Sequence, residues 1–321
     1  MRIWLASLLV LFLAVGTLRA DPAAEAAFRD GMAAYAAKDH KRALAVWLPL
    51  AETGHAEAQY RVGRLHDEGE AVPKDEAAAA AWYRKAAEQG HALGQVALGD
   101  SLWNGRGIEA SFSDAHDWFK AAAQQGNAWG QYGLGLWFAY PPDGKPVLSL
   151  AVHWFEKAAA QGLAEAQYEM GERYARGDGM RRDAAKAIAW YRKAADQGMP
   201  QAYSAIGLVY AYGLDERVPK DPMKEFEWFL EAAERGGWAS QLSVAQFLLE
   251  GKVVPRDAVE GLKWVIVAGR SGRTDEIILK TLGRIRMTEE DRAEARRRAE
   301  AWRPRGSWLK PLVSRPSSRW D

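Results

Sequence analysis

Tryptophan recurs along the chain at Trp47, Trp82, Trp118, Trp154, Trp190, Trp228 and Trp264, at intervals of 35, 36, 36, 36, 38 and 36 residues. A unit of that length cannot bury its own apolar face and must stack on its neighbours, so the period points to a repeat solenoid. Stacked repeats make binding surfaces more often than active sites, which directs the search for function toward recognition.

The text around each tryptophan predicts two helices per unit. Trp82-Tyr83-Arg84-Lys85-Ala86-Ala87 returns as Trp190-Tyr191-Arg192-Lys193-Ala194-Ala195, and the same small-residue pair recurs at Ala122-Ala123, Ala158-Ala159 and Ala232-Ala233. Each such helix closes on a glycine, Gly90, Gly126, Gly162, Gly198 or Gly236, able to take the left-handed conformation that ends a helix. The other helix is written most clearly as Ala56-Glu57-Ala58-Gln59-Tyr60 and Ala164-Glu165-Ala166-Gln167-Tyr168. Seven residues before the tryptophans stand Asp75, Ser111, Asp183, Asp221 and Asp257, whose side-chain oxygens can accept from first-turn amides and cap the next helix.

The string AEAQY…G…G…VPKD…A…WYRKAA…QG resembles the Sel1-like repeat family, relatives of tetratricopeptide repeats. The resemblance covers repeats at about 56–91, 92–127, 128–163, 164–199, 200–237 and 238–270, with a more tetratricopeptide-like unit before them at about 23–54. It implies an all-α fold, a right-handed α-solenoid of about seven antiparallel helix pairs serving as a scaffold for protein partners. No family-wide catalytic residues carry over.

Two repeats depart from the pattern. In the fourth, Tyr140-Pro141-Pro142-Asp143-Gly144-Lys145-Pro146 forms the loop and Val147 replaces the capping residue, which moves the expected cap to Ser149. The sixth carries two extra loop residues and places Glu225 where other repeats have alanine, with Phe226 beside it. Individual function and plain loop drift on a solvent-facing edge are both compatible with such departures.

Residues 1–20, Met1-Arg2 followed by an uncharged apolar run from Ile3 to Leu18, read as a secretory signal peptide cut before Asp21, with an uncleaved anchor as the alternative. No cysteine follows the run, which excludes a lipoprotein anchor, and no cysteine occurs anywhere, which excludes a disulfide framework. The composition fits a bacterial periplasm. Without residues 1–20 the chain has 41 basic and 42 acidic residues. From Arg270 onward 14 are basic and 8 acidic, so an acidic array of repeats ends in a basic segment, which argues against nucleic acid as a partner.

That segment, about 271–303, is expected to cap the solenoid. Thr288-Glu289-Glu290-Asp291 opens a charged helix that runs to Trp302, with Ala293, Ala301 and Trp302 as its apolar edge. Residues 304–321, with Pro304, Pro311 and Pro316, read as a loose tail.

Residue patterns for chemistry are sparse. Ser307-Trp308-Leu309-Lys310 matches the S-x-x-K of penicillin-recognising enzymes, but S-D-N and K-T-G are absent, so an envelope hydrolase has little support. Gly105-Arg106-Gly107 follows a helix and not a strand, so it is no dinucleotide loop. His40, His55, His66, His91, His116 and His153 are spread over different repeats with no metal-ligand spacing, and neither cofactor nor metal is expected. The first helices line the concave face in related solenoids, and their variable positions carry Trp103, Trp129, Trp137, Tyr140, Tyr212 and Phe247, aromatics of the kind that anchor interfaces. The expectation is a non-catalytic, exported adaptor holding a protein or peptide partner on that face. Membrane contact would be limited to passage through the signal peptide and peripheral contact with the envelope. Binding of envelope polysaccharide or peptidoglycan through the aromatics and the basic segment is the alternative.

Overall fold

The computed structural model describes residues 21–142, 144–270 and 287–306; the signal-peptide expectation, Asp143, the first part of the capping segment and residues 307–321 lie outside them. Among the described residues the fold is an all-α solenoid. Its helices are α1 (Pro22–Ala36), α2 (His40–Glu52), α3 (Ala56–Glu68), α4 (Glu76–Glu88), α5 (Ala92–Asn104), α6 (Phe112–Gln124), α7 (Ala128–Ala139) and α8 (Leu148–Ala160). They continue as α9 (Ala164–Arg176), α10 (Ala184–Asp196), α11 (Pro200–Tyr212), α12 (Pro222–Glu234), α13 (Trp238–Glu250), α14 (Ala258–Gly269) and α15 (Glu289–Ala301). No described helix is long and apolar enough to cross a membrane.

Capping follows the sequence closely. Asp75, Ser111, Asp183, Asp221 and Asp257 each accept from the amide three residues on. The fourth repeat differs from expectation: α8 begins directly after Val147, no side chain caps it, and Ser149 lies inside the helix. The Val147 amide bonds the Phe138 carbonyl just as the Asp75, Ser111, Asp183, Asp221 and Asp257 amides bond carbonyls of their preceding helices, so the fourth repeat keeps the common register and Ser149 falls two residues past the cap position.

The core does not centre on the landmark tryptophans. Between Trp82 and Trp228 they are half-buried, and Lys85, Lys157 and Lys193 fold back over Trp82, Trp154 and Trp190 at 3.9, 4.7 and 3.8 Å. The next residue in each repeat, Tyr83, Phe119, Phe155, Tyr191 or Phe229, is the buried one. Its ring presses on a glycine of the preceding helix. At Gly171 a Cβ would lie 2.4 Å from the Tyr191 ring, and at Gly135 2.4 Å from Phe155. Ring and glycine are thus one packing element, and the alternation of large and absent side chains sets the distance between paired helices.

Glutamines stitch successive repeats together. Gln125 donates to the Gln95 side chain at 2.8 Å and to the Gly90 carbonyl of the preceding repeat at 3.0 Å. Gln161 repeats this with Gln131 and Gly126, and Gln197 with Gln167 and Gly162. Buried amides are satisfied in pairs, so the seam carries little unpaired polarity.

At the far end α15 packs on α14. Its capping box is formed by Thr288 and Asp291, and Trp302 meets Trp264 edge-on at 5.9 Å. The inward edge is Ala295 and Ala299, both buried, with Trp302 half-buried; Ala301, expected there, is exposed, because a 3.6-residue turn puts 295, 299 and 302 on one stripe and 301 off it. Arg305 returns to the end of α12, its amide bonding the Glu234 carbonyl and its guanidinium pairing with the Glu234 carboxylate.

Candidate protein-binding face

First helices of consecutive repeats touch directly, α3 against α5 and α5 against α7, so they form the crowded inner side of the curve. The ring-on-glycine contacts fix each first helix in rotation. The eighth residue (Gly63, Gly99, Gly135, Gly171, Gly207) faces the second helix, which turns the second, sixth, ninth and thirteenth residues toward the inner face.

That face alternates in character. The second repeat supplies Glu57, Arg61, Arg64 and Glu68, paired within the helix as Arg61 to Glu57 and Arg64 to Glu68. The third and fourth supply Leu93, Ala97, Trp129, Gly133 and Leu136, with two polar residues, the buried Asp100 and Asn104, which donates to it, while Arg106 pairs with Asp100. The fifth is charged again, with Glu165, Glu169, Glu172 and Arg176, all but Arg176 buried. In the sixth, Leu208 and Tyr212 lie one turn apart and are 44% and 65% exposed.

Several charges here are committed within the fold. Arg173, 3% exposed, donates to Glu169 at 3.3 Å and to the Tyr140 hydroxyl at 3.2 Å, and pairs with Asp178. Glu172 accepts from the Tyr191 hydroxyl at 2.7 Å and pairs with Arg176; burial beside that carboxylate pushes the Tyr191 phenol far up. Glu57 accepts from Arg61 and meets His91 Nε2 at 2.6 Å. The His91 contact, opposed by burial and aided by Arg61, holds the Glu57 carboxyl down at about 2. Burial alone pushes the Glu165 carboxyl up, against a hydrogen bond from its own main chain.

Helix phase divides the six predicted interface aromatics. Trp129, Tyr140 and Tyr212 occupy inner-face positions. Trp103 does not: it is 4% exposed, packed edge-on to Phe112 at 5.5 Å and against Phe119, because the twelfth residue of its helix points at the paired helix. Trp137 lies half-buried against His116 at 4.7 Å, and Phe247 against Phe226 at 5.6 Å; both are tenth residues, turned toward neighbouring helices. Glu225, flagged as a departure, is half-buried beside Phe226 in the first turn of α12, and burial raises its carboxyl.

Leu208 and Glu165 also lie on this face, and residue type alone does not mark them. Their signal was the repeat register: each stands four or seven residues from another inner-face position, but the register needed the glycine contacts to anchor it. The histidines also have roles that spacing did not disclose. His55 and His91 are helix caps, accepting from the Ala58 and Gly94 amides through Nδ1. Gly107 packs where a Cβ would lie 2.0 Å from the Glu76 carbonyl oxygen, so the glycines of that loop serve close approach between repeats. Among the described residues no group of His, Asp and Glu is arranged to hold a metal ion.

The family model described as Sel1 repeat matches residues 56–91, 92–127, 130–163, 164–199, 200–237 and 238–272. The crystal structure of the Sel1 repeat protein from Oxalobacter formigenes aligns with a TM-score of 0.68 at 26% identity, over 76% of this chain and 99% of that one. A protective antigen of uropathogenic Escherichia coli strains, c5321, aligns with a TM-score of 0.52 at 24% identity, over 87% of this chain and 68% of its own; that likeness is one of fold. No curated protein matches.

Proposed function

This chain belongs to the Sel1 repeat family, whose members typically mediate protein–protein interaction, and from that premise we propose that it is an exported, non-catalytic adaptor. On this reading its inner face holds an extended segment of a protein partner in the cell envelope. Trp129, Leu208 and Tyr212 supply the apolar contacts, and Glu165 of the fifth repeat supplies the polar one.

The observation that carries the reading is the exposure of Leu208 and Tyr212. On a face whose other large apolar side chains are buried or half-buried, these two, one turn apart, remain open to solvent. Leaving them so costs apolar hydration, and an aromatic beside an aliphatic side chain is the kind of anchor that dominates binding energy. The apolar run of residues 1–20 supports export.

The test is photo-crosslinking in the native host, with the reactive residue placed at Tyr212 and, as control, at the exposed Glu88 on the second helix of its repeat. A protein captured at Tyr212 and not at Glu88, by a chain whose mature terminus is Asp21, supports the reading. Equal capture at both positions, or none at Tyr212, overturns the assignment of this face; a retained residue 1 overturns cleavage.

A further inference from the structure

In two places a glutamate near the start of one first helix sits beside the residue that precedes the next first helix, and the repeat period places a row of residue pairs at the equivalent positions of the later repeats. Where the row has a glutamate, the facing cap is a histidine. Glu25 of α1 faces His55, with His55 Nε2 at 3.7 Å, and Glu57 of α3 faces His91 at 2.6 Å. Where the row is apolar the cap changes too: the equivalent positions hold Leu93 with Asn127, and Trp129 with Leu163. The fifth repeat breaks the match. Glu165 holds the glutamate position, and the position of the histidine is taken by Met199, buried and apolar, which gives α11 no side-chain cap.

Glu165 is 7% exposed, and among the described residues no side chain bonds it; its one hydrogen bond comes from its own main chain. The cations of its own helix are engaged elsewhere, Arg173 by Glu169, Asp178 and Tyr140, and Arg176 by Glu172. A carboxylate so placed lacks the imidazole partner that its two counterparts in the row have, and a buried carboxylate left alone is costly. The preceding member of the row is Trp129, half-buried and edge-on to Tyr132 at 6.0 Å.

We infer that Glu165 is the specificity-determining residue for a basic side chain of the protein partner, a lysine or arginine whose charged end takes the place that an imidazole occupies beside Glu57. The aliphatic stem of such a side chain lies along Trp129, since lysine and arginine bury their methylenes on aromatic surface while the charged end bonds a carboxylate. The partner segment accordingly carries a basic residue near an apolar one, the latter serving Leu208 and Tyr212. This rests on the inner-face reading above.

A phage-displayed library of random peptides, panned on the purified full chain and on its Glu165→Gln and Met199→His variants, tests the assignment. The variants act by opposite routes. Glutamine removes the charge with little change of shape, and histidine supplies the missing internal partner, as His91 does for Glu57. The expected result is that the unaltered chain enriches peptides with a lysine or arginine beside an apolar residue. Both variants should keep the apolar preference, lose the basic one, and bind the enriched peptides about tenfold or more weakly. Enrichment of the basic position on all three proteins, or of apolar peptides without a basic residue on the unaltered chain, overturns the role of Glu165. Absence of any enriched sequence on the unaltered chain overturns the inner-face reading itself.

Discussion

The Arg235 guanidinium lies 4.2 Å over the ring of Tyr203, in the place where the four preceding repeats pair two glutamines. Gln89 with Gln59, Gln125 with Gln95, Gln161 with Gln131 and Gln197 with Gln167 all stand 30 residues apart, and Tyr203 and Arg235 are the residues of the sixth repeat at those positions, its two extra loop residues accounting for the longer separation. A cation over an aromatic face thus replaces an amide-to-amide hydrogen bond at one seam of the solenoid.

The exchange predicts coupling. Tyr203→Gln or Arg235→Gln alone leaves a mismatched pair and should lower stability by about 0.5–1 kcal/mol. The double variant rebuilds the glutamine pair and should recover most of that loss. Urea denaturation of the four proteins gives the coupling energy, and strict additivity would show that the two residues do not interact.

Gly171→Ala forces a methyl group against the Tyr191 ring, where a Cβ would lie 2.4 Å away, and should cost about 1–3 kcal/mol through overpacking. The seventh repeat shows the compensating pair, since Ala245 and Val265 hold the equivalent positions and are both buried. Adding Tyr191→Val to Gly171→Ala should therefore relieve the clash, although it forfeits the Glu172 hydrogen bond. The thermal midpoint of the double variant should not fall below that of Tyr191→Val alone; a further fall would show that the glycine serves something other than ring clearance.

Glu57 predicts part of the acid sensitivity. Its carboxyl is held at about 2 in the folded chain, against an ordinary value of 4.5. A depressed folded value means that the pair with His91 and Arg61 stabilises the fold above pH 4.5, and that this contribution is lost as pH falls from there toward 2. Allowing for solvent screening of a half-buried pair, the loss is about 1–2 kcal/mol. In Glu57→Gln the fall in stability over that interval should be smaller by this amount; equal falls would remove the pair from the account.

Asp215 predicts a local effect. From the longer loop of the sixth repeat it accepts the Ala184 amide at the start of α10, at 2.8 Å, while Asp183 caps the same helix through Lys186. In Asp215→Ala, hydrogen exchange at Ala184 should quicken while Lys186 stays protected; unchanged exchange at Ala184 would mean the contact is dispensable.

Fold class, repeat family and most helix caps were legible in the residues, because they are local. A glycine after a helix and an aspartate before one act within a turn, and their recurrence at a 36-residue spacing leaves little but a helical solenoid. Helix phase was not legible. One rotation of a first helix separates an interface tryptophan from a core one, and it is set by contact between a ring in one helix and a glycine in another. Hence Trp103 proved internal and Trp137 and Phe247 lateral, while Trp129, Tyr140 and Tyr212 took inner positions. The isolation of Glu165 is also tertiary: Glu57 and Glu165 read identically within their own helices, and only the residue at the equivalent position of the next repeat, His91 or Met199, decides which carboxylate is satisfied within the fold.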